Sequence, residues 1–176
     1  MKRTEQGFTL IELLIVVAII SIIAAIAVPG LLRARSTANE TSAIISLRET
    51  VKAQVGYSTT CGAGNFAVSY AVLTTAPGGN PAAEGFISKE FAAAPPVLKN
   101  GYHLNLGPGA NAGSGPNDCN GSPTTTTWLA TAVPQTLGTT GDRGFAVNTQ
   151  NAVWQDTTGA APTEPFTPSA TVSVTR

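Results

Sequence analysis

The chain has 176 residues, of which 11% are charged, and its 10 basic residues balance its 10 acidic ones. This length allows one domain with a modest core. The lack of a net positive charge argues against nucleic-acid binding, which normally requires a basic surface, and the low charge argues against disorder driven by charge repulsion.

The first structural element is an apolar segment, residues 8–28, in which Glu12 is the one charged residue. As a helix it would be about 31 Å long, which matches a hydrocarbon core of about 30 Å. Lys2 and Arg3 precede it, so the N-terminus is expected to stay in the cytoplasm while the rest is translocated. The sequence therefore predicts a single membrane-spanning helix.

Three kinds of N-terminal segment fit this pattern. They are a secretory signal cut after Ala27, a plain membrane anchor, and a leader cut on the cytoplasmic side before the apolar run. Glu12 favours the leader, because a carboxylate in an apolar span costs roughly 2.5–3.5 kcal/mol and neither a signal nor an anchor needs it. Cleavage after Gly7 would give Phe8 an α-amino group, a cation with which Glu12 could pair within its own helix or in a neighbouring subunit.

Residues 7–12, Gly-Phe-Thr-Leu-Ile-Glu, and the apolar run behind them resemble the processing and assembly segment of type IV pilins and type II secretion pseudopilins. The resemblance implies that a prepilin peptidase cuts after Gly7 and N-methylates Phe8. It also implies that Glu12 is needed for assembly and that Pro29 kinks the helix. The short leader, residues 1–7, resembles that of the type IVa class.

Beyond Pro29 and Gly30 the sequence becomes polar but keeps a helical pattern, so the helix is expected to cover residues 8–57. Pro29 lacks a backbone donor and Gly30 adds flexibility, which predicts a kink or local melting. Gly56 and the Ser58-Thr59-Thr60 run mark the expected end of the helix. One apolar stripe is predicted, formed by Ile44, Leu47, Val51 and Val55.

Residues 58–101 are expected to form a long connection that contains one short helix. Asn80 is a plausible cap and Pro81 a favourable first residue for that helix. Its apolar face would consist of Phe86, Ile87 and Phe91. Pro95-Pro96 would end it.

Four strands are predicted in residues 102–156, namely 102–106, 126–133, 144–149 and 152–155, the last two forming a hairpin around Gln150-Asn151. A small antiparallel sheet of three or four strands packed on the long helix gives an α+β fold, the architecture that the pilin resemblance also implies. The tail, 157–176, is rich in Pro and Thr, and disorder or a loosely laid extended segment is expected there. Residues 171–174 could add an edge strand.

The two cysteines, Cys61 and Cys119, lie far apart and neither belongs to a C-x-x-C pair. This spacing argues against a thiol redox motif or a zinc ribbon. Two lone cysteines in an exported protein more often form one disulfide, so we predict a Cys61–Cys119 bond.

No catalytic, cofactor-binding or metal-binding residue is predicted. His103 is the one histidine, and the spaced glycines of 107–113 lack the strand, helix and lysine of a phosphate loop. Asp118, Asp142 and Asp156 are scattered rather than clustered as calcium ligands would be. Major pseudopilins usually carry an acidic calcium loop, so its absence from the sequence favours a pilin.

The sequence therefore predicts a structural, non-enzymatic subunit of a type IV pilus-like filament. It would reside in the bacterial inner membrane and then in a cell-surface or periplasmic filament. The expected partners are further copies of the chain, a prepilin peptidase and an inner-membrane platform with a separate ATPase. The alternatives are a pseudopilin or minor pilin, an anchored envelope protein for binding, adhesion or DNA uptake, and an electron-conducting filament.

Overall fold

The computed structural model describes residues 8–80 and 83–175. The chain divides into two compact units, Met1–Arg35 and Ser36–Arg176. Helix α1, Leu10–Thr60, contributes to both units. The remainder of the second unit consists of short helices and two antiparallel sheets, so the fold belongs to the predicted α+β class.

Helix α1 ends at Thr60 rather than at the predicted residue 57. The hydroxyl groups of Thr59 and Thr60 both donate to the backbone carbonyl of Gly56, at 3.0 and 2.7 Å. By bonding back to the preceding turn, these side chains keep the backbone helical where a Ser-Thr-Thr run would otherwise favour a turn. The helix also continues through Pro29 and Gly30, so the local melting expected there does not occur, and the kink stays a prediction.

The buried face of α1 in the second unit agrees with the predicted stripe in part. Leu47 is fully buried and Ile44 and Val51 pack against the core, whereas Val55 is 48% exposed. Six residues along the buried face recur at spacings of three and four, namely Glu40, Ala43, Leu47, Thr50, Gln54 and Tyr57. Four of these side chains, Glu40, Thr50, Gln54 and Tyr57, have polar groups with specific partners inside the fold, which an apolar periodicity cannot reveal.

Two of these buried polar side chains bond to the connection after the helix. The Gln54 side-chain amide donates to the Ala67 carbonyl at 2.9 Å and accepts from the Ala67 N–H at 2.9 Å. Thr50 donates to the Ser46 carbonyl at 2.9 Å and shares a hydrogen bond with the Tyr70 hydroxyl at 3.1 Å. These bonds fix the connection against α1 in addition to the apolar contacts of Ala67, Tyr70 and Leu73 with the core.

The connection itself contains strand β1, Phe66–Ala67, and helix α2, Tyr70–Leu73. Two 3₁₀ turns follow, at Pro77–Gly79 and Lys89–Ala92. The short helix predicted from Asn80 is wrong for the described part of its span, since Phe86 and Ile87 lie in irregular backbone. Both of their N–H groups donate to the Leu73 carbonyl, at 2.8 and 3.3 Å. Pro81 lies outside the described residues.

The main sheet has six antiparallel strands in the order β2-β3-β5-β6-β7-β8. Their bounds are Val97–Lys99, Tyr102–Pro108, Trp128–Pro134, Gly144–Asn148, Trp154–Asp156 and Val172–Val174. The four predicted strands are β3, β5, β6 and β7. The predicted three or four strands were too few, because β2 and β8 add an edge at each side.

Strand β2 joins β3 through a two-residue turn at Asn100-Gly101. Both residues have positive φ angles, 48° and 73°, and Lys99 pairs with Tyr102 across the turn. Asn-Gly between two extended runs is a strong hairpin signal in a sequence. This strand was therefore detectable from the sequence although it was not predicted.

Strands β3 and β5 place alternate side chains in the core between sheet and helix, as their sequence pattern predicts. The buried ones are Tyr102, Leu104, Leu106, Trp128, Ala130 and Ala132. They pack with Ala43, Leu47, Ala53 and Tyr57 of α1 in one apolar cluster. The sheet thus packs on the long helix.

A smaller sheet and a disulfide connect the end of α1 to the loop before β5. Strand β4, Thr124–Thr125, pairs with β1. Cys61 and Cys119 are bonded, with their Cα atoms 4.9 Å apart, which confirms the predicted pair. Asp118 reinforces this join, because its carboxylate accepts from the Tyr57 hydroxyl at 2.8 Å.

The tail after β7 returns along the sheet and ends in β8, so the suggested edge strand is present. Val172, Ser173 and Val174 pair with Asp156, Gln155 and Trp154 respectively. The Thr157 N–H donates to the Thr171 carbonyl at 3.1 Å, which closes the loop between them. An ordered extended segment with a terminal strand replaces the disorder that composition favours.

Candidate assembly site

The N-terminus of α1 is stabilised by a reciprocal pair of hydrogen bonds between Thr9 and Glu12. The Thr9 N–H and hydroxyl both donate to Glu12 Oε2, at 2.9 and 2.5 Å. The Glu12 N–H in turn donates to Thr9 Oγ1 at 3.3 Å. This is a capping box, in which two side chains satisfy backbone donors that a helix start leaves unpaired.

The capping box gives Glu12 a partner inside its own chain. The role of Thr9 was not predicted from the sequence, although the Thr-x-x-Glu spacing is a recognisable helix-start signal. The carboxylate also lies at the positive end of the helix dipole, as expected. In this structure, therefore, Glu12 serves the start of its own helix.

The predicted processing site lies at the edge of the described residues. Gly7 is outside them, and Phe8 is 87% exposed just before the helix. The Phe8 nitrogen is in peptide linkage to Gly7 in this chain, so its pairing with Glu12 concerns a cleaved form. Cleavage after Gly7, methylation of Phe8 and the pairing all stay predictions.

The first unit presents an apolar surface along the whole first part of α1. This helix contains a strongly apolar stretch, none of which is buried, so its length and composition allow it to cross a membrane. Exposed fractions range from 79% at Leu10 to 50% at Val16, and Leu32 is still 54% exposed. An uninterrupted apolar surface of this length indicates burial in lipid or against other chains.

Ser21 does not break the apolar surface in chemical terms. Its hydroxyl donates to the Val17 carbonyl at 2.8 Å. A hydroxyl that is satisfied within its own helix avoids most of the cost of an unpaired polar group in an apolar environment. The segment can therefore be surrounded by hydrocarbon or by other helices along its length.

A charged clamp holds α1 to the sheet in the second unit. Glu40 is 5% exposed, and one of its oxygens accepts from the Asp142 and Arg143 N–H groups at 2.9 and 3.1 Å. The other accepts from Arg143 Nε and Nη2 at 2.9 and 2.6 Å. Arg143 Nη1 donates to Gln155 at 2.7 Å, so the clamp extends to β7.

Three buried tyrosines are held in the protonated form. Burial raises the pKa of Tyr70 to about 12. Burial also raises the pKa of Tyr57, with a further rise from the adjacent Asp118 carboxylate. Burial and the Glu40 charge raise the pKa of Tyr102, whose hydroxyl donates to the Arg143 carbonyl at 2.8 Å. Each phenol thus acts as a structural hydrogen-bonding group.

The other polar residues weighed in the sequence are dispersed. His103 lies half-buried on β3. Asp118 caps the disulfide loop by accepting from the Asn120 and Ser122 N–H groups at 2.8 and 2.7 Å. Within residues 8–80 and 83–175, no three His, Cys, Asp or Glu side chains come together as a group that could hold a metal ion.

Comparison with known proteins adds evidence for the N-terminal segment. Residues 2–28 match the family model described as the prokaryotic N-terminal methylation motif. A segment of 55 residues is 54% identical to the type IV wide pilus major component PilA4 of Thermus thermophilus.

That alignment includes 31% of this chain and 42% of the relative, so the chain spans less than half the length of the relative that it matches. No solved structure matches the chain. The described α+β arrangement, with one long apolar N-terminal helix, agrees with both findings. The motif and the relative thus show that part of this chain is similar to type IV pilins.

Proposed function

We propose that the chain is a structural subunit of a type IV pilus-like filament. It is held in the inner membrane after leader cleavage and assembled through the first part of α1. The observation that carries this proposal is the long apolar surface from Leu10 to Leu32, which begins with a single carboxylate at Glu12. Such a surface needs an apolar surrounding both before and after assembly.

The sheet edges support assembly through the helix rather than by strand addition. At β8, the Val172 N–H donates to Ser169 Oγ at 3.0 Å and the Val172 carbonyl accepts from the Ser169 N–H at 2.9 Å. At the other edge, β2 has three residues and follows Pro95-Pro96. Short, self-capped or proline-flanked edges disfavour pairing with another chain.

Glu12 would stabilise the subunit when it moves from the membrane into the filament. After cleavage, the α-amino group of Phe8 would need a counter-charge in a water-free helix bundle, because an unpaired buried charge is costly. The Glu12 carboxylate of the same or an adjacent subunit meets that need. Because the bonded pair has a defined geometry, it would set the axial register of the subunit as well as stabilise it.

The proposed partners follow from this role. A prepilin peptidase would cut after Gly7 and methylate Phe8, further copies of the chain would form the filament, and an inner-membrane platform with its own ATPase would drive growth. The role is structural rather than enzymatic, which fits the description of the relative as a pilus component. That description as a major component favours a pilin over the pseudopilin alternative.

A Glu12→Val substitution tests the proposal. We expect normal expression, membrane insertion and cleavage but at least about a tenfold loss of subunit from sheared filaments, because one partner of a buried pair is removed. Glu12→Gln tests the charge at nearly constant size. Glu84→Gln is the matched control, since it removes an exposed carboxylate of the second unit.

The measurement compares processed subunit in membranes with subunit in the sheared filament fraction, and N-terminal mass spectrometry identifies the first residue. A normal filament yield from Glu12→Val would contradict the role of the carboxylate. A mature chain that begins at Met1, or after Ala27, would contradict the processing step.

A further inference from the structure

Residues 157–171, here called the C-terminal arm, cover the face of the sheet that points away from α1. Strand β6 is buried on both sides: Phe145 and Val147 belong to the core on the helix side, and Ala146 is fully buried on the opposite side. On that opposite side the arm lies close against Gly144, where an added Cβ would collide with the Ala160 carbonyl. The arm thus occupies a face that would otherwise be open to water.

Few groups fasten the arm. Glu164 is the main one, since its Oε2 accepts from the Ala110 N–H at 2.5 Å and its Oε1 accepts from Asn148 Nδ2 at 2.6 Å. The Phe166 ring lies 5.6 Å from the Trp154 ring, centre to centre. Glu164 therefore connects the arm to the loop after β3 and to the end of β6.

The arm has few other attachments, among them the buried Pro162. Between Ala160 and Pro168, in the described structure, no backbone-to-backbone hydrogen bond joins it to the sheet. Six of its residues in the second half are exposed, namely Thr163, Pro165, Thr167, Pro168, Ser169 and Ala170. Segments with few buried contacts and few backbone bonds open at lower free energy than the core.

We propose that the C-terminal arm is a detachable cover, fastened by Glu164, that opens without unfolding of the core between α1 and the sheet. Opening would uncover Ala146 and Trp154, an apolar strip on the outer face of the sheet. The core on the other face keeps its own packing, because Phe145 and Val147 do not depend on the arm. Opening of the arm therefore affects only the outer face of the main sheet.

Two substitutions act on the cover in different ways. Glu164→Ala removes the acceptor of both bonds, whereas Glu164→Gln keeps one acceptor oxygen for one of the two donors. Gly144→Ala places a methyl group between β6 and the arm, and the arm backbone must shift because no flexible side chain is there to move. Gly107→Ala is its matched control, since a Cβ at that strand position meets nothing within 4 Å.

Hydrogen–deuterium exchange of the full-length chain in detergent tests the proposal. We expect the Ala110 amide, whose N–H donates to Glu164, to exchange before the amides of β3 and β5 in the unaltered chain. Gly144→Ala should accelerate exchange of this amide at least about tenfold by opening the arm, Glu164→Ala should do so by removing its acceptor, and Glu164→Gln should have a smaller effect. Amides of β3, β5 and residues 40–57 should not change, and Gly107→Ala should leave the Ala110 amide unchanged.

Two results would overturn the proposal. Equal acceleration of Ala110 and the core in Gly144→Ala or Glu164→Gln would mean that the arm belongs to one cooperative unit with the rest of the fold. Exchange of the Ala110 amide at the rate of an unstructured peptide in the unaltered chain would mean that Glu164 fastens nothing. If Gly144→Ala does not fold, the exchange rates of the Glu164→Gln variant distinguish between these outcomes.

Discussion

At the scale of single residues, carboxylates carry much of the specific structure of this chain. Glu12 starts the helix, Glu40 joins the helix to the sheet, and Glu164 fastens the tail. Each accepts several hydrogen bonds, at least one of them from a backbone N–H. Since charge-assisted bonds are stronger than neutral ones, a few acidic side chains can decide which segments meet.

Substitution of Glu40 should have the largest effect on stability among the acidic residues of the second unit. We expect Glu40→Ala to lower the free energy of unfolding by about 2–4 kcal/mol, because it leaves Arg143 and two backbone N–H groups without their acceptor. Urea denaturation of the detergent-solubilised chain measures this change.

The control is Glu49→Ala, which removes a half-exposed carboxylate 3.9 Å from Lys99. A surface ion pair of this kind contributes about 0–1 kcal/mol, so the variant should unfold close to the unaltered chain. Equal effects of the two substitutions would contradict the special role given to the Glu40 clamp.

At the scale of elements, local signals and long-range partners act on different parts of the same helix. The apolar first part of α1 is determined by its own composition. Its second part buries Thr50, Gln54 and Tyr57 because the connection and the disulfide loop offer partners for them. The predicted stripe was therefore shifted, and Val55 is exposed rather than packed.

The disulfide connects these elements and should contribute strongly to their stability. Cys61 and Cys119 are 58 residues apart, for which the chain-entropy relation gives about 4 kcal/mol. A Cys61→Ser and Cys119→Ser double variant should therefore unfold at a clearly lower urea concentration. A midpoint equal to that of the oxidised chain would show that the unfolded state is already restricted by other means.

At the scale of the whole molecule, burial of three phenols makes the fold sensitive to high pH. The pKa of each of Tyr57, Tyr70 and Tyr102 is raised in the folded state, mainly by burial. The unfolded chain loses these protons near pH 10, whereas folded Tyr70 holds its proton to a pKa of about 12. Since the folded state binds more protons in this range, stability falls as pH rises.

We therefore expect the tyrosines to contribute a constant amount to the free energy of unfolding below pH 10. This contribution should decline as pH rises toward 12, and the chain should unfold cooperatively when the phenols ionise. Absorbance of tyrosinate and far-ultraviolet circular dichroism should change together. Tyr70→Phe should weaken the pH dependence, because it removes one of the three titrating groups. Ionisation of all tyrosines near pH 10 without unfolding would contradict the burial argument.

Part of this protein follows from its sequence alone, because the signals are local. The apolar run before Pro29 and the alternation in β3 and β5 each depend on neighbouring residues, and the structure agrees with them. The Asn-Gly turn before β3 and the Thr9 to Glu12 capping box are equally local, so they too were within reach of sequence reasoning.

The tertiary structure alone decided the features that depend on distant partners. Glu40 is buried because Arg143, far along the chain, faces it across the fold. The tail is ordered because Gly144 leaves room for its backbone and Asn148 and Ala110 bond to Glu164. Composition describes how a segment behaves in water, whereas its order here comes from surfaces that exist only once the sheet has formed.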